Sequence, residues 1–397
     1  MKHVVVLGGG VGGTLAANLI ARKLKRAIAR GEAKVTVVDG TGEHAYQPGY
    51  MYIAMGNERP ERLHRPERSL LDGNVELLVE TIERIDPVSS LVTMASGAKV
   101  HFDQLVIATG CRILPGEIDA FETEAHHFYT AGASARLRTA LDAFTGGKIV
   151  IGIAGIPYKC PPAPLEVAFL VEAELRARGL RDRTQLTFLS PINRAFTIES
   201  VSEMVTPIFA DKGIDLQLLA GVDSIDAERK VVITDAMEEY PYDLLICVPP
   251  HRGVQAVIDS GLAPKSGWLP TDRHTLQVKH LVPPNTPDAD VPRYPNIHAL
   301  GDATDLPLSK AGSTAHFEAP IIAERVSSLV MGREPEGKDA RYTGKVMCFF
   351  EVGDGKGTLL QFDYEHPPRP PKPNQLWHLG KMIFNKTYWH TVPRGRV

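Results

Sequence analysis

The start of the chain limits its fold most. The apolar run Val4-Val5-Val6-Leu7 passes directly into Gly8-Gly9-Gly10-Val11-Gly12-Gly13, and helical spacing follows at Leu15, Leu19, Ile20 and Leu24. This order predicts a strand, a glycine turn and a helix. Gly8, Gly10 and Gly13 satisfy GxGxxG. The first glycine permits the tight turn, the second lets a pyrophosphate approach the backbone, and the third lets the helix pack on the strand. A second strand, Lys34-Val35-Thr36-Val37-Val38, ends in Asp39, whose carboxylate is placed to accept ribose hydroxyls and to oppose a 2′-phosphate. Glycines after a strand often only make a turn. Here strand, glycines, helix, strand and acid fall in order within 39 residues, and the expectation is a dinucleotide site.

Composition narrows the remaining classes. With 44 Lys+Arg against 47 Asp+Glu in 397 residues, the formal net charge of -3 gives no global basis for nucleic-acid binding. A hydrophobic fraction of 43% excludes a disordered chain, and the length suggests two or three domains. No run of about 18 apolar residues is present, so no spanning helix is expected. The N-terminus reads as a folded strand and not as a secretory signal. Four cysteines, at 111, 160, 247 and 348, lack zinc spacing, and no metal is expected.

Two further segments select the dinucleotide. Phe102-Asp103-Gln104-Leu105-Val106-Ile107 ends in the turn Ala108-Thr109-Gly110, and Tyr294-Pro295-Asn296-Ile297-His298-Ala299-Leu300 ends in Gly301-Asp302. Together with the first glycine loop, these resemble the two-dinucleotide-domain flavoproteins. The resemblance implies FAD, with Ala108, Thr109 and Gly110 near the flavin and Asp302 on the ribityl chain. A second βαβ unit would bind a nicotinamide dinucleotide in such a fold. Its place is taken by Lys148-Ile149-Val150-Ile151-Gly152-Ile153-Ala154-Gly155-Ile156-Pro157, followed by Cys160, Pro161 and Pro162. Prolines remove backbone donors where an anion cradle needs them. The next strand, 185–190, ends in Ser190-Pro191 without a ribose-binding acid. The nicotinamide site is therefore read as lost, and electrons must come from a different donor.

Cys160 lies where the altered loop turns into a helix (Leu165, Ala168, Phe169, Val171, Leu175), a setting that favours a thiolate. Cys348 lies in Tyr342-Thr343-Gly344-Lys345-Val346-Met347-Cys348, and spacing alone cannot bring the two cysteines together. The segments Ile156–Glu166, Val248-Pro249-Pro250 and Tyr342–Cys348 resemble the sulfide:quinone oxidoreductases and the related flavocytochrome c sulfide dehydrogenase flavoprotein subunit, over nearly the whole chain. The resemblance implies that Cys160 and Cys348 form a redox-active pair beside the flavin, with Cys348 nearer the flavin and Cys160 exchanging sulfur. Family members often carry a third redox cysteine. Tyr129 stands there in His126-His127-Phe128-Tyr129-Thr130, so a noncovalent FAD is expected. The family histidine is not evident in 196–201. Glu166 matches the family's acid/base carboxylate, or is simply a first-turn Glu on the helix dipole. Lys310, before Gly312, resembles the lysine beside the flavin pyrimidine, where a cation stabilises reduced flavin; its other reading is an exposed loop lysine. Cys111 and Cys247 read as small buried apolar residues.

After Glu365 the chain has Arg369, Lys372, Lys381, Lys386, Arg394 and Arg396 but no acid, interleaved with Trp377, Leu379, Met382, Ile383, Phe384, Tyr388 and Trp389. Such a segment suits the headgroup zone of an anionic bilayer, and a helix docked on the core is the alternative. The resemblance implies a membrane quinone entering beside it, with Met347, Phe384 and Tyr388 as wall residues. The expected fold is α/β: an FAD-binding domain from 1–115 and 290–330, a second Rossmann-like domain with a degenerate nicotinamide site from 116–289, and a cap from 331–397 carrying Cys348 and the amphipathic membrane segment. The expected activity is FAD-dependent oxidation of sulfide with quinone as acceptor, by a homo-oligomer bound peripherally to the membrane, on the cytoplasmic side. The alternatives are a type II NADH:quinone oxidoreductase, a soluble sulfide dehydrogenase subunit reducing a cytochrome, and a flavin-bound redox sensor.

Overall fold

In the computed structural model, which describes residues 1–396, the first strands follow the apolar runs. They are β1 (Lys2–Leu7), β2 (Ala33–Asp39), β3 (Val75–Val79) and β4 (Gln104–Ile107), with helix α1 (Val11–Lys23) between β1 and β2. A second set follows: β5 (Ala125–His126), α2 (Ala131–Ala143), β6 (Gly147–Ile153), α3 (Ala163–Ala177), β7 (Thr184–Leu189), β8 (Asp215–Gln217) and β9 (Leu244–Val248). The chain then returns with β10 (Gln277–Lys279), β11 (Arg293–Ala299) and α4 (Gly312–Val330). It closes with the hairpin β12 (Val346–Gly353) and β13 (Lys356–Phe362) and helix α5 (Gln375–Thr387).

The two β-α-β sets build two sheets. The first runs β10-β11-β4-β1-β2-β3, parallel except for β10, and the second runs β5-β9-β6-β7-β8, all parallel. Parallel strands are covered on both faces, which explains why β1 and β9 are continuous apolar runs without alternation. Val4, Val5, Val6 and Leu7 are fully buried, as are Leu245, Ile246 and Cys247. Cys247 thus behaves as a small apolar core residue. Two three-stranded antiparallel ribbons, at Ile82–Asp86, Leu91–Met94 and Lys99–His101 and at Val222–Asp226, Val231–Thr234 and Glu239–Pro241, carry the chain between strands of each sheet.

The hairpin β12–β13 lies against α3 of the second set and α4 of the first, and α5 lies on the hairpin, so the segment from Val346 to Thr387 bridges the two sets. Among the described residues no helix is long and apolar enough to cross a membrane.

Candidate active site

The glycine loop forms an open cradle at the C-terminal end of β1. Gly8 takes φ +103°, and a Cβ on Gly13 would lie 1.9 Å from the Gly8 carbonyl oxygen, so helix and strand approach too closely for any side chain. Nothing lies within 4 Å of the Cβ direction of Gly10, which leaves that side open to a phosphate. Asp39 accepts from the Gly9 amide at 2.7 Å through Oδ2, and from the Thr41 and Gly42 amides through Oδ1. Burial works against its charge, but these amides hold its carboxyl below the ordinary value. Oδ2 keeps acceptor capacity for a ribose hydroxyl. The expected ribose acid is also a clamp on the loop itself.

The other two motifs converge here. Ala108 packs against Gly8, Gly110 is left-handed at φ +63°, and the Thr109 hydroxyl is buried without a hydrogen-bond partner. The Asp302 carboxylate is approached only by Cys111 Sγ, at 4.0 Å, among the described residues. Burial raises both groups, the Cys111 thiol to about 12. Gly312 opens α4 against Val11 at the start of α1. An open cradle, an unpartnered hydroxyl and an unbonded carboxylate are what a bound dinucleotide would complete, so these residues fit FAD.

Lys310 is buried, not a solvent-exposed loop lysine. Its ammonium donates to the Thr304 and Asp302 carbonyls at 2.5 and 3.2 Å and sits 3.9 Å from the Trp268 ring centroid. Its own carbonyl accepts from the Cys160 amide at 2.6 Å, and Lys159 and Lys310 form a parallel bridge. The loop after β6, which in a nicotinamide site would cradle phosphate, is thereby tied to the loop after Asp302. Tyr129 is buried and donates to the Lys159 carbonyl at 3.1 Å.

Cys160 precedes the helix instead of opening it. Helix α3 starts at Ala163 after Pro162, and Cys160 adopts φ +55°, a left-handed conformation that costs a non-glycine residue energy and is found at functional sites. Its thiol is pushed up by burial, then by Glu166 and Cys348, which works against the thiolate expected at a helix start. Cys348, on β12, is also raised by burial and is opposed by a contact with Ser313 Oγ at 3.1 Å. Both cysteines are partly buried and packed against one hydrophobic core.

Behind them lies a buried charged cluster. Lys381 Nζ lies 2.5 Å from Glu166 Oε1, which also accepts from the Glu351 amide at 2.7 Å. Burial pushes the Glu166 carboxyl up while Lys381 draws it back; burial also opposes the Lys381 charge, but Glu166, Tyr52 and Glu351 hold it well above the ordinary lysine value. Glu351 accepts from Tyr52 OH at 3.2 Å and meets His378 Nδ1 at 3.0 Å. Lys381 was counted with the basic tail, and that reading is corrected: it points inward. Ser313, Tyr52, Glu351 and His378 carried no local sequence signal, since each acquires its role through a contact distant in the chain. The three residues assigned to the quinone wall divide: Met347 and Phe384 are partly exposed, whereas Tyr388 is buried with its hydroxyl turned to His44.

One carboxyl in this region sets a pH dependence of stability. Glu318 on α4 accepts from the Gly301 amide at 2.6 Å, its other oxygen is buried without a partner, and burial pushes it up to about 8. The folded state therefore keeps a proton that the unfolded chain releases near its ordinary value of 4.5. This contribution is complete below 4.5 and is lost at about 1.4 kcal/mol per pH unit as pH rises toward 8. Glu318→Gln keeps the acceptor without the ionisation. Its melting temperature is expected to gain on wild type steadily from pH 5 to pH 8; a constant difference would refute the assignment.

Residues 2–153 match the family model described as pyridine nucleotide-disulphide oxidoreductase. The sulfide-quinone reductase of Aquifex aeolicus is 26% identical, with 100% of this chain and 92% of that protein covered. The mitochondrial sulfide:quinone oxidoreductase of Mus musculus is 24% identical, over 99% of this chain and 86% of that protein. The chain is a homologue of the sulfide:quinone oxidoreductases over nearly all of the residues given. It is an FAD-dependent oxidoreductase. The solved structure of the Aquifex aeolicus sulfide:quinone oxidoreductase superposes with a TM-score of 0.81 at 24% identity, over 100% of this chain and 92% of that one. The chain thus shares the α/β fold of that structure.

Proposed function

We propose that this chain oxidises sulfide through a Cys160–Cys348 disulfide and passes two electrons by way of FAD to a membrane quinone. The observation that supports the reading is that two cysteines 188 residues apart pack on one core near Glu166 and Lys381, Cys160 in a loop tied to Lys310. In the oxidised pair, hydrosulfide attacks Cys160; the bond between the two sulfurs breaks, a persulfide forms on Cys160, and Cys348 leaves as a thiolate. The Ser313 hydroxyl is within reach to donate to that thiolate. A second sulfide, or another sulfur nucleophile, removes the outer sulfur and leaves both cysteines reduced. When bound, FAD supplies the two-electron acceptor that returns the pair to the disulfide and the donor to quinone. Glu166, buried and raised, is the carboxylate able to take the proton shed at Cys160.

In this reading 1–115 and 290–330 hold FAD, 116–289 has given up its nicotinamide site, and 331–397 supplies Cys348 and the quinone entrance. The outer face of α5 supports a bilayer contact: Leu376, Leu379 and Ile383 are 77%, 53% and 54% exposed, far more than a helix docked only on protein would leave bare. Met347 and Phe384, both part-exposed, are with Tyr388 the proposed quinone wall.

Anaerobic titration of flavin absorbance separates the readings. Sulfide is expected to bleach the flavin and a short-chain quinone to restore it, with no bleaching by NADH. Bleaching by NADH alone would replace this reading with an NADH:quinone oxidoreductase.

A further inference from the structure

Beneath the glycine loop lies a buried polar network that the proposed chemistry does not use. Glu67 and His44 are fully buried, and Thr14 on α1 and Tyr388 beyond α5 complete the set. The Thr14 hydroxyl lies 2.7 Å from Glu67 Oε1, and His44 Nδ1 lies 3.1 Å from both Glu67 Oε2 and Thr14 Oγ1. His44 Nε2 lies 2.7 Å from Tyr388 OH. His44 thus bridges Glu67 through Nδ1 and Tyr388 through Nε2. Every polar atom of the four side chains is then partnered, from the C-terminal segment to the loop. Such a complete buried network is rigid, and removing one member leaves another unpaired.

The network also bears on the cradle. A Cβ on Gly9 would lie 3.1 Å from Glu67 Cδ and 3.1 Å from the Asp39 carboxylate, so both acids crowd the loop at Gly9. Thr14 Oγ1 lies 2.9 Å from the Gly10 carbonyl and 3.1 Å from that of Gly9. The segment carrying Tyr388 is fixed to the same helix farther along: Asn18 donates to the Pro393 carbonyl at 2.8 Å, and Arg22 to the Gly395 carbonyl at 3.1 Å.

We propose that Tyr388, His44 and Glu67 are positioning residues for the dinucleotide loop, so that FAD retention depends on the seating of the C-terminal segment. Tyr388 thus has a second task, distinct from lining a quinone pocket. Loss of its hydroxyl leaves His44 Nε2 unpaired and loosens Glu67 against Gly9.

The test is the rate of FAD release from the purified full-length holoprotein, followed by flavin fluorescence after dilution, with FAD per chain measured by absorbance. Tyr388→Phe is expected to speed release at least fivefold, and Glu67→Gln, which turns an amide donor toward Thr14 or His44, at least as much. Tyr46→Phe is the matched comparison. It removes a neighbouring hydroxyl that bonds Asn385 at 2.5 Å and does not reach the loop, and it is expected to release FAD at the wild-type rate. Release within twofold of wild type in both Tyr388→Phe and Glu67→Gln overturns the proposal. So does equally fast release from Tyr46→Phe, which would make the effect one of general packing. The proposal rests on the FAD assignment, and a wild-type protein that binds no flavin would sink both, whereas failure of sulfide to bleach bound flavin would leave this one standing.

Discussion

Cys160→Ser and Cys348→Ser are each expected to lower the rate of flavin reduction by sulfide by on the order of 10³-fold, with the double variant hardly slower than either single one. Residues that act as one unit lose nearly the whole effect with the first removal. A disulfide cannot form from one cysteine, and serine offers hydrosulfide no sulfur to attack. FAD content is expected to stay at the wild-type level, because neither side chain bonds the glycine loop. Each thiol is partly buried against a common core, so serine costs little packing and the fold survives. Stopped-flow absorbance with sulfide, beside an FAD-to-chain ratio for each variant, makes the measurement. Retention of a tenth or more of the wild-type rate in either single variant, with flavin bound, would dismiss the pair as the sulfide-oxidising site.

Lys381→Met is expected to cost about 3–5 kcal/mol of stability, the usual result of removing one partner from a buried ion pair. Methionine fills most of the space of the lysine stem, so the loss reports the stranded charge and not a cavity. Glu166 then lacks its nearest cation, and burial raises its carboxyl further. The sign follows from that rise. The folded variant holds a proton that its unfolded chain gives up, so the deficit against wild type is largest at neutral pH and shrinks as pH falls toward the ordinary carboxyl range. Glu166→Gln placed on top should restore much of the loss, which a double-mutant cycle by denaturant unfolding reads directly. A deficit independent of pH, or no rescue by Glu166→Gln, would mean that the pair is not coupled as its 2.5 Å separation indicates.

The way the chain discloses itself is uneven for a physical reason. The run from Val4 to Asp39 is legible because a strand, its turn and its helix are set by neighbours a few residues away, and the steric need for Gly13 is written at one position. The two βαβ sets likewise follow from apolar runs of strand length. Lys381 is the opposite case. It stands among basic and aromatic residues that read as a surface, and only a partner 215 residues earlier turns it inward. His44 and Tyr388 meet across 344 residues, and no spacing rule connects them. The positive φ of Cys160 is hidden for a different cause, since the tie to Lys310 that holds the loop comes from beyond the second sheet. Helix α5 shows both halves at once: its exposed Leu379 and Ile383 are visible in the sequence as part of an apolar set, but not the inward side that completes the buried cluster.

The strand order of the first sheet has a consequence for synthesis. β4 pairs on one side with β1 and on the other with β11, roughly 190 residues farther along, while every strand of the second sheet is finished by Val248. On the ribosome the second sheet can therefore close first, and β4 waits with an open, apolar edge until Arg293–Ala299 emerges. An unpaired edge of this kind is a site of misassembly. Gly301 and Asp302 follow directly on β11, so closing that edge and completing the dinucleotide cradle are a single late event. A nascent chain stalled before residue 290 would carry a finished second sheet and a bare edge, and a cradle without its last carboxylate.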